Sequence, residues 1–242
     1  MIEAQGLTKS FGAVTAVRNV SFRAADGAIT GLLGPNGAGK STTLRLLATV
    51  LRADAGDARI DGVSVRGEPL EARRCMGVLP HAAGIYPQLT ARENITYFGA
   101  LYGMARAERE ARARELIAEL EMREFADRRA RGFSQGQRLK TALARALVHR
   151  PQNVILDEPT NGLDVMAVRT LRALLGRLRE AGHCVLLSSH VMQEVAALCD
   201  SIVVIAGGEV LAEGRPQAIR EQAGCADLEE AFVRITAREG VA

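Results

Sequence analysis

Gly34-Pro35-Asn36-Gly37-Ala38-Gly39-Lys40-Ser41 follows directly on the apolar run Ile29-Thr30-Gly31-Leu32-Leu33. It leads into a segment where Leu44, Leu47 and Leu51 recur at helical spacing. The pattern is G-x-x-x-x-G-K-[ST], set between a strand and a helix. Glycines let consecutive backbone N–H groups converge on phosphate oxygens, and the helix N-terminus adds a favourable dipole. In such a loop Lys40 reaches the β- and γ-phosphates and the Ser41 hydroxyl coordinates Mg²⁺. Only three of the 31 basic residues are lysine, Lys9, Lys40 and Lys140. A lysine here suits a compact phosphate nest, which takes a point charge better than a planar guanidinium.

Further along, Val154-Ile155-Leu156-Asp157-Glu158 ends an apolar strand with two acids. An acid at the carboxyl end of a strand beside a phosphate loop holds Mg²⁺ directly or through water. The next acid can orient or deprotonate an attacking water. Asp157 lies 117 residues beyond Lys40, too far for adjacent βαβ units of about thirty residues each. The gap is filled by charged helical sequence: a capping box at Thr90-Ala91-Arg92-Glu93, a helix over about 107–122, and one from near Gly136 to before Pro151. Around this insertion the chain alternates strand and helix. Strands are expected over 16–22, 29–33, 76–79, 154–156, 184–187 and 202–205, with a helix near 167–181 and a helical tail over 227–237. Ile60-Asp61-Gly62-Val63 reads as a tight hairpin. Such alternation predicts a largely parallel sheet covered on both faces.

Composition narrows the function class. The 242 residues are 48% hydrophobic and 24% charged, with net charge +3, values of an ordinary globular protein. Basic residues are mixed with acids, as in Arg106-Ala107-Glu108-Arg109-Glu110, so no nucleic-acid partner is expected. Cys75, Cys184, Cys199 and Cys225 form no CxxC pair and read as reduced, mostly buried thiols. No apolar run reaches membrane-spanning length and the start is not a secretory signal, so a cytoplasmic protein is expected.

Phe133-Ser134-Gln135-Gly136-Gln137 begins the helix that ends before Pro151. Alone it is a capping box, but it ends 20 residues before Asp157. The stretch Phe133 to Asp164 thereby resembles the ATP-binding cassette (ABC) ATPases, whose signature has the form LSGGQ. The resemblance covers essentially the whole chain, read as one ATP-binding domain over 1–242 with a helical subdomain inserted at about 85–150. It implies an α/β P-loop NTPase core with a mainly parallel sheet and an N-terminal antiparallel β subdomain. It also implies ATP and Mg²⁺ as ligands, and hydrolysis coupled to transport through a separate membrane-spanning permease, with the chain peripheral on the inner face of the membrane.

Carried over residue by residue, Phe11 matches the aromatic that stacks on adenine. The backbone of Gly34, Pro35, Asn36, Gly37, Ala38, Gly39, Lys40, Ser41 and Thr42 matches the phosphate cradle. Ser41 and Asp157 match the Mg²⁺ ligands, Glu158 the residue that polarises water, and His190 the switch histidine at the γ-phosphate. Asn161-Gly162-Leu163-Asp164 resembles the loop that crosses to the second subunit. Ser134, Gly136 and Gln137 match the signature residues that meet ATP held by the opposite cassette, which implies a head-to-tail dimer, read as a homodimer. Gln135 replaces the first glycine of the signature pair, a change that is tolerated if its side chain points away from nucleotide. Pro80-His81 stands where the family has a glutamine that senses the metal. His81 either takes over as a ligand or hydrogen-bonding group, or leaves the metal contact to water. His149 and His183 are expected to be structural. Gly84 to Thr90 is the expected permease-docking surface. Leu89 to Gly103 and Val185 to Asp200 most resemble ATPase subunits of bacterial sodium-efflux exporters. The alternative within the resemblance is a soluble ABC ATPase acting on ribosomes or DNA.

Overall fold

The computed structural model describes residues 1–82 and 84–238. Its elements in chain order are β1 (Ile2–Phe11), β2 (Val14–Ala24), β3 (Ala28–Leu33), α1 (Lys40–Leu47), β4 (Ala55–Ile60), β5 (Val63–Ser64), α2 (Pro69–Arg74), β6 (Met76–Leu79), α3 (Ala91–Leu101), α4 (Arg106–Glu119) and α5 (Gln135–Leu147). There follow β7 (Asn153–Asp157), α6 (Val165–Glu180), β8 (Cys184–Ser189), α7 (Met192–Leu198), β9 (Ser201–Ala206), β10 (Glu209–Gly214), α8 (Pro216–Ala223) and α9 (Leu228–Arg238).

Two sheets form. The larger has the order β10-β9-β3-β8-β7-β6, parallel throughout except for the β9–β10 hairpin. The smaller, antiparallel, has the order β2-β1-β4-β5. Alternation along the central strands sorts side chains to two cores. Val154, Leu156, Val185, Leu187, Ile202 and Val204 join the helices on one face. Ile155, Cys184, Leu186, Val203 and Ile205 pack on the other with α1 and the small sheet. The sheet is thus covered on both faces as expected, one of them by a second sheet. Each such fully buried aliphatic side chain contributes about 1.5–3 kcal/mol. Helices α3, α4 and α5 occupy the sequence between β6 and β7, where the long spacing predicted an insertion.

Local details follow their chemistry. Asp61 (φ 50°) and Gly62 (φ 83°) make the tight β4–β5 hairpin. Thr90 caps α3 with the reciprocal Glu93 pair, Glu93 N–H to Thr90 Oγ1 at 3.1 Å and Thr90 N–H to Glu93 Oε2 at 2.7 Å. One expectation is corrected and one strand was not read from the sequence. The first helix stops at Leu47, because Thr49 turns into the left-handed region (φ 58°) and residues 50 and 51 donate back to Arg45 O, so Leu51 packs from a loop. Strand β1 carries repeated register shifts between Ala4 and Ser10, so its sequence lacks the period of two that betrays a strand. The four cysteines are free, and burial pushes the Cys184 and Cys199 thiols up to about 11 and about 12, leaving them unreactive. Among the described residues no helix is long and apolar enough to cross a membrane.

Candidate nucleotide site

Strand order brings together residues far apart in sequence. In the run β3-β8-β7-β6 all strands are parallel, so their carboxyl ends share one sheet edge. That edge receives the glycine-rich loop after β3, His190 after β8, Asp157 and Glu158 at the end of β7, and His81 after β6. In open α/β sheets ligands bind in the crevice outside these carboxyl ends.

The loop itself is shaped by close backbone approach. A Cβ on Gly34 would lie 2.2 Å from Ile205 O, and one on Gly39 (φ 100°) would lie 2.4 Å from Ala16 O. Gly39 caps α1 without any side chain, and the first helical bond is Thr43 N–H to Gly39 O at 2.8 Å. The amides of residues 40–42 therefore precede the helical ladder, at the positive end of the helix dipole. Lys40 is buried, its ammonium donating to Gly34 O (2.7 Å) and Pro35 O (3.0 Å). It lies 3.6 Å from Glu158 Oε1. Burial holds its pKa below the ordinary lysine value, partly offset by Glu158 and Asp157.

The acids are positioned one by one. Asp157 Oδ1 accepts from Ser41 Oγ at 3.0 Å and from Ser188 Oγ at 2.7 Å. Glu158 adopts φ 49°, a left-handed conformation that a non-glycine residue holds only when its surroundings impose it. Its N–H donates to Ser188 Oγ at 2.9 Å, and its carboxylate bridges Lys40 to His190, with Nδ1 3.0 Å from Oε2. A cation, a carboxylate and an imidazole are thus lined up beside a loop of backbone donors, an arrangement fit for orienting water against a phosphoryl group. His81 is exposed and lines the same cleft, of about 480 Å³, with Asp157, Glu158 and Asn161.

Other expected site residues stand apart. Phe11 is half exposed at the end of β1 beside the turn into β2, its ring centroid 5.7 Å from Lys9 Nζ. Ser134 and Gln137 bond each other, Gln137 N–H to Ser134 Oγ at 3.3 Å and Ser134 N–H to Gln137 Oε1 at 3.1 Å, while Gly136 faces Ala167. None of these three is hydrogen-bonded to the phosphate loop among the described residues. Gln135 borders the cleft and donates to Asn161 O at 2.8 Å. His149 and His183 bond the carbonyls of Met76 (3.0 Å) and Pro151 (2.9 Å). Sequence reasoning missed Ser188, the hydroxyl that serves both acids. Its only signal is a polar residue near the end of an apolar strand.

Comparison with known proteins agrees with this geometry. Residues 17–161 match the ABC transporter family. The chain is 42% identical over 221 residues to the ABC transporter ATP-binding protein NatA of Bacillus subtilis (strain 168), covering 91% of this chain and 90% of that protein. It is 40% identical to the Nod factor export ATP-binding protein I of Paraburkholderia xenovorans (strain LB400), covering 96% and 76%. A solved ATP-binding subunit of an ABC transporter superposes with TM-score 0.90 at 30% identity, covering 98% of this chain and 99% of that one. A dimeric ATP-binding cassette bound to ADP and Pi, in a post-hydrolysis state, superposes with TM-score 0.81 at 28% identity, covering 89% and 98%. The phosphate loop, the acids beside it and these likenesses together make the chain a member of the ABC transporter family, an ATP-hydrolysing cassette with the α/β P-loop NTPase fold.

Proposed function

We propose that the chain drives export through a separate membrane-spanning permease, working as one cassette over residues 1–242 in a head-to-tail homodimer at the cytoplasmic face of the membrane. The observation that carries the reading is Glu158, held between Lys40 and His190 at the sheet edge. Phe11 stacks the adenine and the backbone of residues 34–42 holds the phosphates, with Lys40 moving from its loop carbonyls to phosphate oxygens. Glu158 takes the proton of the attacking water, and His190 steadies that water against the γ-phosphate. Ser134, Gly136 and Gln137 of the opposite cassette close over the same phosphate. Their release after hydrolysis reopens the pair.

Ser41 Oγ and Asp157 Oδ1 are hard oxygen donors 3.0 Å apart, a pair that fits Mg²⁺, which is bound through few protein ligands beside water and phosphate. When bound, the ion supplies neutralising charge to the phosphates. His81 lines the same cleft as Asp157, which supports its contacting the ion directly or through water.

The permease docks beside Gly84 to Thr90. Tyr86 is exposed there, edge-on to Tyr97 at 5.4 Å, and an apolar groove of about 310 Å³ lined by Val50, Gly84, Phe98, Tyr102 and Arg145 adjoins it. Export is supported by the name of the Nod factor relative. Sodium as the cargo is supported by the resemblance of residues 89–103 and 185–200 to sodium-efflux ATPases.

The test is Glu158→Gln. With MgATP the variant is expected to form a stable dimer and lose at least about a hundredfold in turnover, the lower range for a general base. Near-normal hydrolysis would remove Glu158 from that role. Co-purification from detergent-solubilised membranes is expected to bring down a stoichiometric multi-helix membrane protein, and recovery of soluble partners alone would overturn the transporter reading.

A further inference from the structure

Gln135 stands where the family signature has a glycine, and its side chain spans to a different element. Its Nε2 donates to Asn161 O, 26 residues away in sequence, at 2.8 Å. The amide sits close against the next residue: a Cβ on Gly162 (φ 68°) would fall 2.4 Å from Nε2 and 2.9 Å from Oε1. Beneath this contact the first turns of α5 and α6 abut, an added Cβ on Gly136 lying 3.7 Å from Ala167 Cβ. Each helix has its own side-chain cap, Ser134 for α5 and Asp164 for α6. The caps order each terminus separately, and the Gln135 amide bridges from one to the loop that feeds the other. Just beyond that loop Val165 and Met166 are 83% and 67% exposed, two adjacent apolar side chains with no cover in the single chain.

We propose that Gln135 is a positioning residue that ties the start of α5 to the 161–164 loop, so that Ser134, Val165 and Met166 meet the second cassette as one preset surface. The inference rests on the head-to-tail pairing proposed above. A glycine at 135 has no group to make the bridge, so the tie belongs to this chain's departure from the signature. Its worth lies in preorganisation: a loop already held in place loses less freedom when the partner docks.

Gln135→Met keeps the length without the donor, and Gln135→Gly restores the signature residue. In nucleotide-free protein, amide hydrogen exchange over residues 161–167 is expected to quicken about 2- to 10-fold in both variants, the range for losing one neutral hydrogen bond, with the thermal midpoint lowered by no more than about 5 °C. Unchanged exchange overturns the tie. In the Glu158→Gln background the MgATP-dependent dimer of Gln135→Met is expected to dissociate at a protein concentration about 2- to 10-fold higher. Faster exchange with an unaltered dimer overturns the link to pairing. If Glu158→Gln itself stays monomeric with MgATP, the pairing reading fails, and the exchange measurement still decides the tie.

Discussion

Ser188 is fully buried at the end of β8, where its hydroxyl donates to Asp157 Oδ1 at 2.7 Å and accepts from the Glu158 amide at 2.9 Å. One oxygen therefore sets two consecutive acids, and holds the Glu158 backbone in its left-handed conformation. Ser188→Ala removes the acceptor of the Glu158 amide and a donor to Asp157, each bond worth about 0.5–1.5 kcal/mol. Turnover is expected to fall while KM for ATP changes little, because the phosphate loop keeps its own donors. An unchanged kcat would separate Ser188 from the placement of the acids. Lysine scarcity in the sequence singled out Lys40, and the structure buries it against Glu158. The other two lysines make surface pairs, Lys9 with Asp54 and Lys140 with Glu121. The residue type alone thus cannot separate the three; the neighbouring glycines did.

Elements differ in how openly the sequence states them. Capping boxes are local, since two side chains three residues apart each accept from the other residue's backbone N–H, and both Thr90 and Ser134 behave as read. Strand β1 was not legible, because its alternation is broken at each register shift and its pairing is with β2 and β4. The seating of α5 on the large sheet is a further non-local fact. A Cβ on Gly77 of β6 would lie 2.2 Å from Ala146 O and 2.9 Å from Pro151 Cγ. Both obstacles are held in place, one by helix backbone and one by a proline ring. Gly77→Ala is therefore expected to destabilise by about 1–3 kcal/mol, the usual cost of overpacking, seen as a lower denaturant midpoint with unchanged slope. An unaltered midpoint would mean that α5 slides on the sheet at no cost.

At the scale of the whole molecule, the inserted helices must be joined to the sheet they interrupt, and His149 is one joint. Its ring stacks on Tyr102 at 3.5 Å, and its Nε2–H donates to Met76 O of β6 at 3.0 Å. Nδ1 is buried without a partner among the described residues. Burial pushes the pKa down to about 4, with the Met76 carbonyl opposing. Between about 4 and the ordinary value near 6.5 the unfolded chain takes a proton that the folded state refuses. Stability is thus full above about 6.5 and falls as pH drops toward 4, by up to about 3 kcal/mol from this group. Denaturant unfolding at pH 7 and pH 5 checks it: His149→Phe, which keeps the stack, is expected to show a smaller difference than the unsubstituted protein. Equal differences would remove His149 as the cause.

By itself the sequence determined the phosphate loop, the acid pair, the helical insertion and the membership they imply, because each is written in neighbouring residues whose spacing has a local physical meaning. The tertiary structure alone decided that β8 lies between β3 and β7, which sets His190 and Ser188 against Glu158 and Asp157. It also decided that Gln135 reaches Asn161. Those contacts join residues that only strand order and helix packing bring together, and neither is encoded by any short stretch of chain.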